Sequence, residues 1–229
     1  MKKILAVAVA ALVSFGAFAG DWQNTLGAGL SAQKSSIHVA KSGTNLGIDS
    51  LGKLHQWATD FDLTYFLVNT ANGLSFKADF AIGAAFPDAS WIGSSDTGLN
   101  LGGDFGIGYS FLHSQRVTLG LFAMFGLDYT KYSWTYRSSN VFNENEGAKF
   151  EMEYGIFSYK IGADLACAFR FTEQLGIFGS FGARWICGGS TSLSATGSAY
   201  GKSLSVDYDW DVKAKGLCLI PTLGICWTF

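Results

Sequence analysis

Apolar and polar residues alternate along most of this chain, and the alternation is clearest between residues 98 and 112. Odd positions there carry mainly large apolar side chains, whereas even positions up to residue 110 carry glycine, asparagine, aspartate or serine. Successive side chains of a β-strand point to opposite faces, so a period of two is the signature of a strand. The segment predicts a strand that is bulky and apolar on one face and small and polar on the other.

The same alternation recurs often enough to predict a whole fold. Most of the alternating segments approach the length of about 9–11 residues that a tilted strand needs to cross a bilayer. We therefore predict an all-β fold, an eight-stranded antiparallel up-and-down transmembrane β-barrel. The eight segments are residues 25–31, 60–67, 74–83, 98–112, 117–129, 157–170, 175–185 and 216–229.

The connections between these segments alternate in length. Three are tight, and the first contains Asn72-Gly73, a strong hairpin signal. Short turns at one end and long loops at the other are typical of outer-membrane barrels, whose long loops are extracellular. The short connections are residues 69–73, 113–116 and 172–174, and the predicted long loops are residues 32–59, 87–97, 131–155 and 189–215.

The last segment has two local irregularities. Pro221 lies inside it and lacks the N–H that a strand donates, so we expect a bulge or a local break near residues 220–222. Residues 206–212 also alternate, but out of phase with the residues from Leu217 onward. This pattern predicts a strand extension above the membrane, with a change of phase between residues 213 and 216.

The N-terminus has the anatomy of a secretory signal peptide. Lys2 and Lys3 precede an apolar run over residues 4–13, and Ala17-Phe18-Ala19 is a cleavage pattern. The run is short for a membrane anchor, which needs about 20 residues. We therefore predict a cleaved signal peptide over residues 1–19 and one barrel domain over residues 20–229.

Composition narrows the class further. Charged residues make up only 15% of the chain and aromatic residues another 15%, which excludes a disordered chain. No run of 18 apolar residues follows the N-terminal segment, so a helical membrane protein is excluded. The formal net charge of −2 argues against a nucleic-acid partner.

The two faces of the strands have a predicted orientation. The interior of an eight-stranded barrel is only wide enough for side chains to fill it. Eight faces of phenylalanine and leucine would overfill that space, so we expect them to face lipid, with glycine and small polar residues inside. A soluble lipocalin-like barrel, with apolar side chains inside, is the alternative.

Ten charged side chains fall on the predicted inner faces. They are interpreted either as a paired network that fills the lumen, since buried charges must be paired, or as the lining of a narrow, mildly cation-selective channel. A wide pore is not expected, because porins use 16–18 strands. The ten are Asp60, Asp62, Lys77, Asp79, Asp104, Asp128, Lys160, Asp164, Arg170 and Arg184.

The C-terminus resembles a known signal. The chain ends on Phe229, with Trp227 and Ile225 at alternate positions before it. This ending resembles the assembly signal of bacterial outer-membrane proteins, which the barrel-assembly machinery reads. The chain as a whole resembles the small barrels of the OmpW, OmpX and OmpA-barrel group, and its length slightly favours the OmpW-like set. The resemblance implies a monomer in the cell outer membrane, with outer-membrane lipid as its partner.

Catalytic, metal and cofactor sites are not expected. His38 and His55 fall in the first predicted loop and His113 in a short turn, and no hydrolase, metalloprotease or phosphate-loop motif is present. The cysteines have no metal-binding spacing. Cys167 and Cys187 fall on neighbouring predicted strands at opposite depths, and Cys218 and Cys226 are eight residues apart on one strand, roughly 26 Å. Both separations are too large for a disulfide, so we expect four free thiols.

Three classes of function are left open by these patterns. The first is a structural barrel or a narrow passive channel for small solutes. The second is a surface interaction module, for adhesion or host contact through extracellular loops that carry Tyr132, Trp134 and Tyr136. The third and most remote is a membrane-embedded enzyme.

Overall fold

The computed structural model describes residues 21–40, 50–88, 97–140, 143–199, 202–212 and 216–229. The predicted signal peptide, residues 1–19, and the remaining connections lie outside these residues. Nine strands are present in the described part of the chain. They are β1 (Trp22–Ala40), β2 (Ser50–Asn69), β3 (Leu74–Asp88), β4 (Gly98–His113), β5 (Val117–Asn140), β6 (Asn143–Arg170), β7 (Leu175–Ala199), β8 (Lys202–Val212) and β9 (Gly216–Thr228).

These strands close into a barrel. Strands β1 to β7 each pair antiparallel with the next, and β9 pairs with both β7 and β1. Strand β9 pairs with residues 175–186 of β7, and β8 pairs with residues 189–199, at the upper end of the barrel, which is the end away from the short turns. Strands β8 and β9 together occupy one strand position beside β7, so the barrel has eight strand positions. The predicted all-β, eight-stranded antiparallel barrel is confirmed.

The pairing is staggered around the barrel. Following paired residues from Thr25 through all eight positions returns to β1 at Ser35, further along the same strand. Such a stagger requires the strands to tilt against the barrel axis. It also brings side chains from distant parts of the sequence to the same level inside the lumen.

Pro221 interrupts only one side of the last strand. The register between β7 and β9 is unshifted along the whole of β9, so the predicted bulge is wrong. On the other side, the β1 pairs stop at Ser31 with Thr222 and resume at Lys34 with Leu219. The local break therefore lies in the ladder with β1, as expected where proline lacks a donor.

Three of the four predicted long loops are largely strand, which is a correction, whereas most of the loop predicted at residues 87–97 lies outside the described residues. Strand β1 continues to Ala40, β5 and β6 meet at Asn140 and Asn143, and β7 continues to Ala199. These extensions are held by backbone pairing between neighbouring strands, which does not require alternation of apolar and polar side chains. The predicted extension over residues 206–212 lies in β8, and residues 213–215 are outside the described part.

The outer wall is apolar, as the orientation of the faces predicted. Leu223 is 68% exposed, Phe105 59% and Trp185 53%, and many other large apolar residues on the outward faces are exposed. Monomeric proteins in water rarely expose continuous apolar surfaces of this extent, whereas a lipid-facing wall requires one. Within the described residues, no helix has the length and apolarity to cross a membrane.

Candidate functional site

The structure places all ten predicted charged side chains inside the barrel. Nine of them belong to one polar region in the middle and upper lumen, and all nine line the same cavity. Arg170 lies apart, near the short turns, where its Nη2 donates to the Ser114 carbonyl at 2.5 Å and Thr118 Oγ1 at 3.3 Å. The prediction thus grouped one residue that the fold separates.

An alternating chain of acids and bases crosses the lumen. Lys77 Nζ contacts Asp79 and lies 2.7 Å from Asp164 Oδ2. Arg184 continues the chain, with Nη1 2.6 Å from Asp164 Oδ1 and Nη2 3.2 Å from Asp104 Oδ2. The Asp164 carboxylate therefore binds two basic side chains, one through each oxygen.

Lys160 completes this ionic chain. Its Nζ lies 2.8 Å from Asp128 Oδ2 and 3.5 Å from Asp104 Oδ1. Gln33 Nε2 donates to Asp128 Oδ2 at 3.1 Å, and Thr64 Oγ1 donates to Asp79 Oδ1 at 2.7 Å at the other end. Because its members lie on β3, β4, β5, β6 and β7, the chain cross-links five strands.

A neutral hydrogen-bonded chain lies above the ionic one. Tyr132 donates to Gln56 at 2.9 Å, and Gln56 Nε2 donates to Thr130 at 3.1 Å. Thr130 donates to Asn100 Oδ1 at 2.9 Å, and Asn100 Nδ2 donates to both Asp60 oxygens at 3.0 Å. Asp60 was among the ten predicted residues, whereas Gln56, Asn100 and Thr130 were not, because neutral polar side chains give no charge pattern. Tyr132 was expected in an extracellular loop, and its buried position is a correction.

An aromatic layer fills the lumen between the ionic chain and Arg170. The ring centroids of Phe66 and Phe122 are 6.1 Å apart, and those of Phe66 and Phe178 are 6.0 Å apart. Lys77 Nζ lies 5.7 Å from the Phe66 centroid, so the two layers are in contact. The layer packs with other buried side chains, namely Met124, Ala166, Ala168 and Cys226.

This aromatic layer contradicts the expectation that bulky apolar side chains all face outward. The rings fit because glycines stand opposite them. A Cβ at Gly27 would lie 2.6 Å from Phe178 Cε1, and one at Gly224 would lie 2.5 Å from the same atom. The sequence does contain a signal for this: Phe66 is two residues after Thr64, so both side chains lie on the same, inward face of β2.

Both layers leave little space. The cavity beside the ionic chain has a volume of about 20 Å³, and one beside the aromatic layer has about 10 Å³. A cavity of this size holds about one water molecule. The arrangement is therefore able to bind small species and to resist the passage of solutes.

Inward glycines are also essential to the ionic chain, which gives a testable prediction. A Cβ at Gly126 would lie 1.7 Å from Asp104 Oδ1 and 2.6 Å from Lys160 Cε. We expect Gly126→Ala to displace these groups and to lower the free energy of unfolding by about 1–3 kcal/mol, the usual cost of overpacking. Urea-induced unfolding in lipid vesicles measures this.

Gly103→Ala is the matched control for that substitution. Gly103 is on the outer face of β4, and the nearest atom to an added Cβ is 3.9 Å away. Its unfolding midpoint should stay near that of the wild type. Equal losses for the two variants would show that the space beside Asp104 is not limiting.

The other chemical candidates do not assemble into a site. His113 Nδ1 lies 2.8 Å from the Ser110 carbonyl at the end of β4, and the side chain of His38 lies outside the described residues. Among the side chains described, no three His, Cys, Asp or Glu residues are arranged to hold a metal ion. Cys167 and Cys187 are exposed free thiols, and Cys218 and Cys226 are buried ones.

Comparison with known proteins concerns the fold alone. No family model matches the chain, and no curated protein matches it. Among solved structures, it is similar to a major outer membrane protein from Thermus thermophilus, with a TM-score of 0.54 and 10% identity over 87% of this chain and 99% of that chain. The barrel fold of outer-membrane proteins is thus shown, and the OmpW-like preference stays a prediction.

Two further solved structures are less similar, with TM-scores below 0.5. OprG from Pseudomonas aeruginosa has a TM-score of 0.49 and 14% identity over 90% of this chain and 95% of that chain. The outer membrane protease OmpT from Escherichia coli has a TM-score of 0.44 and 12% identity over 91% and 96%. The expectation that this chain is not an enzyme stays a prediction.

Proposed function

We propose that the protein is a structural, non-conducting barrel of the outer membrane. The observation that carries this proposal is the filled lumen, where a buried ionic chain lies directly on a layer of three phenylalanine rings. Of the two interpretations of the inward charges, this favours the paired network over a narrow passive channel for small solutes.

The energetics of the two layers support a closed lumen. A passing ion would have to separate buried pairs such as Arg184 with Asp164, and breaking one such pair costs about 3–5 kcal/mol. It would also have to displace close-packed rings, which interiors resist. Both obstacles lie in series, so thermal opening of the whole path is rare.

The outer surface supports the membrane location. Ile225, Trp227 and Phe229 are exposed on the outer wall at the end of β9, where lipid and the barrel-assembly machinery can reach them. The apolar wall supports outer-membrane lipid as the principal partner. Export through a signal peptide over residues 1–19, and a monomeric state, belong to the same proposal.

Solute entry into proteoliposomes tests the proposal. Vesicles that contain the full mature chain are diluted into iso-osmotic arabinose or glycine, and swelling is followed by light scattering. We expect these vesicles to swell no faster than vesicles without protein, and vesicles that contain a general porin provide the positive control. Swelling that rises with the amount of this protein would contradict a closed lumen.

A second candidate function is surface interaction, favoured by the greater length of the strands on one side of the barrel. Strands β5 to β8 stay paired well beyond the ends of β3 and β4. Beyond Lys131, β5 pairs only with β6 in the part of the chain that is described. Such a sheet edge is able to contact another molecule, and the exposed Lys131–Glu153 pair at 2.9 Å fits a watery environment.

Shortening this sheet tests the second function. Replacement of residues 134–152 by Asn-Gly would join Ser133 to Glu153, which are paired in register. We expect the shortened chain to fold and insert, and cells that display it to lose adhesion to immobilised extracellular-matrix proteins. Adhesion equal to that of the full chain, or none with either chain, would contradict this function.

A further inference from the structure

The lumen contains more carboxylates than its bases neutralise. The ionic chain joins four aspartates to Lys77, Lys160 and Arg184. Asp60 and Asp62 lie beside it, and neither forms a salt bridge with any described residue. Arg170, the remaining predicted base, lies beyond the aromatic layer. The polar region therefore has six carboxylates and three bases.

Asp62 is the least satisfied of these carboxylates. Its side chain is on the inner face of β2, the residue is only 5% exposed, and Oδ2 has no hydrogen-bond partner among the described groups. The Ser31 hydroxyl neighbours this carboxyl, but Ser31 Oγ does not reach hydrogen-bonding geometry with it. A buried carboxylate in this state is costly unless another species compensates its charge.

Asp62 lines the cavity of about 20 Å³ beside the ionic chain. Asp60, Ser31 and Gln33 line the same cavity. Asp60 already accepts two hydrogen bonds from Asn100, whereas Asp62 Oδ2 has its full capacity to bind a cation. We propose that a monovalent alkali cation, such as Na⁺, binds in this cavity against the Asp62 carboxylate.

The size and the ligands of the cavity determine the class of cation. The volume admits about one water-sized species, which suits a dehydrated alkali ion and excludes organic cations. Calcium takes 6–8 oxygen ligands, and no three acidic, histidine or cysteine side chains among those described are arranged for a metal ion. The other four aspartates are already bound to bases.

Thermal unfolding of the full mature chain in detergent micelles tests this site. Na⁺ replaces choline at constant chloride and constant ionic strength, so general screening does not change. A ligand that binds only the folded state raises the midpoint. We expect the wild-type midpoint to rise with Na⁺ and to saturate, and Asp62→Asn to give a flat response. Glu173→Gln, which removes an exposed carboxylate from a short turn, should respond like the wild type.

Crystals grown in rubidium chloride provide a second, direct readout. We expect an anomalous peak beside Asp62 in the wild type and none in Asp62→Asn. A flat wild-type response to Na⁺, an equal rise in Asp62→Asn, or a rubidium peak only elsewhere would overturn the proposal. The first of these results would indicate that protons balance the excess charge.

Discussion

Arg184→Met is expected to lower the free energy of unfolding by about 3–5 kcal/mol, the typical cost of removing one partner from a buried ionic group. Arg184 is 1% exposed and binds Asp104 and Asp164 in the middle of the ionic chain. Methionine keeps much of the volume but leaves both carboxylates with fewer partners. Urea-induced unfolding in lipid vesicles, followed by tryptophan fluorescence, measures the loss.

The exposed pair on the outer surface provides the matched control. Lys131 and Glu153 lie 2.9 Å apart, but their side chains are 37% and 52% exposed. An exposed pair contributes about 0–1 kcal/mol, so Lys131→Met should have little effect. Adding Asp164→Asn to Arg184→Met should restore part of the lost stability, since it removes a carboxylate that lost one of its two bases. Similar losses for Arg184→Met and Lys131→Met would contradict the importance of the ionic chain.

Phe122→Ala is expected to cost about 3–5 kcal/mol, the usual range for loss of a buried ring. Phe122 is 1% exposed and packs against Phe66 in the aromatic layer. Because the surrounding strands are fixed by their ladders, the lumen cannot collapse around the missing ring. The cavity that remains adds to the lost transfer free energy. The same unfolding titration measures this variant.

Phe125→Ala on the same strand separates the cavity from the loss of apolar surface. Phe125 faces outward and is 50% exposed, so lipid chains refill the space that alanine leaves. Only the transfer term, about 1.5–3 kcal/mol at most, should be lost. A larger loss for Phe125→Ala than for Phe122→Ala would mean that the aromatic layer is not close-packed.

The sequence was sufficient to predict the strands in lipid and the location of the charges. In β4, one face meets lipid and the other the lumen, so the pattern of residues 98–112 reads directly as a strand. The inward direction of Asp104 and Asp164 follows from the same period of two. These features depend only on neighbours along one strand.

The rest depends on contacts between distant strands. Phe178 belongs in the lumen because Gly27 and Gly224 leave room for it, and their proximity is determined by the stagger of the barrel. Asp104 on β4 likewise contacts Lys160 on β6 and Arg184 on β7, and these contacts depend on the register of the strands between them. The extension of β7 over residues 189–199 is rich in serine, threonine, glycine and alanine, so its sequence resembles that of a loop.

Closure of the lumen is the central claim, and single-channel recording in planar bilayers tests it most directly. The full mature chain is incorporated into the bilayer and recorded over a range of potassium chloride concentrations. The ionic chain and the aromatic layer lead us to expect no current steps above the bilayer baseline at any salt concentration. Reproducible steps whose conductance rises with salt would contradict the account.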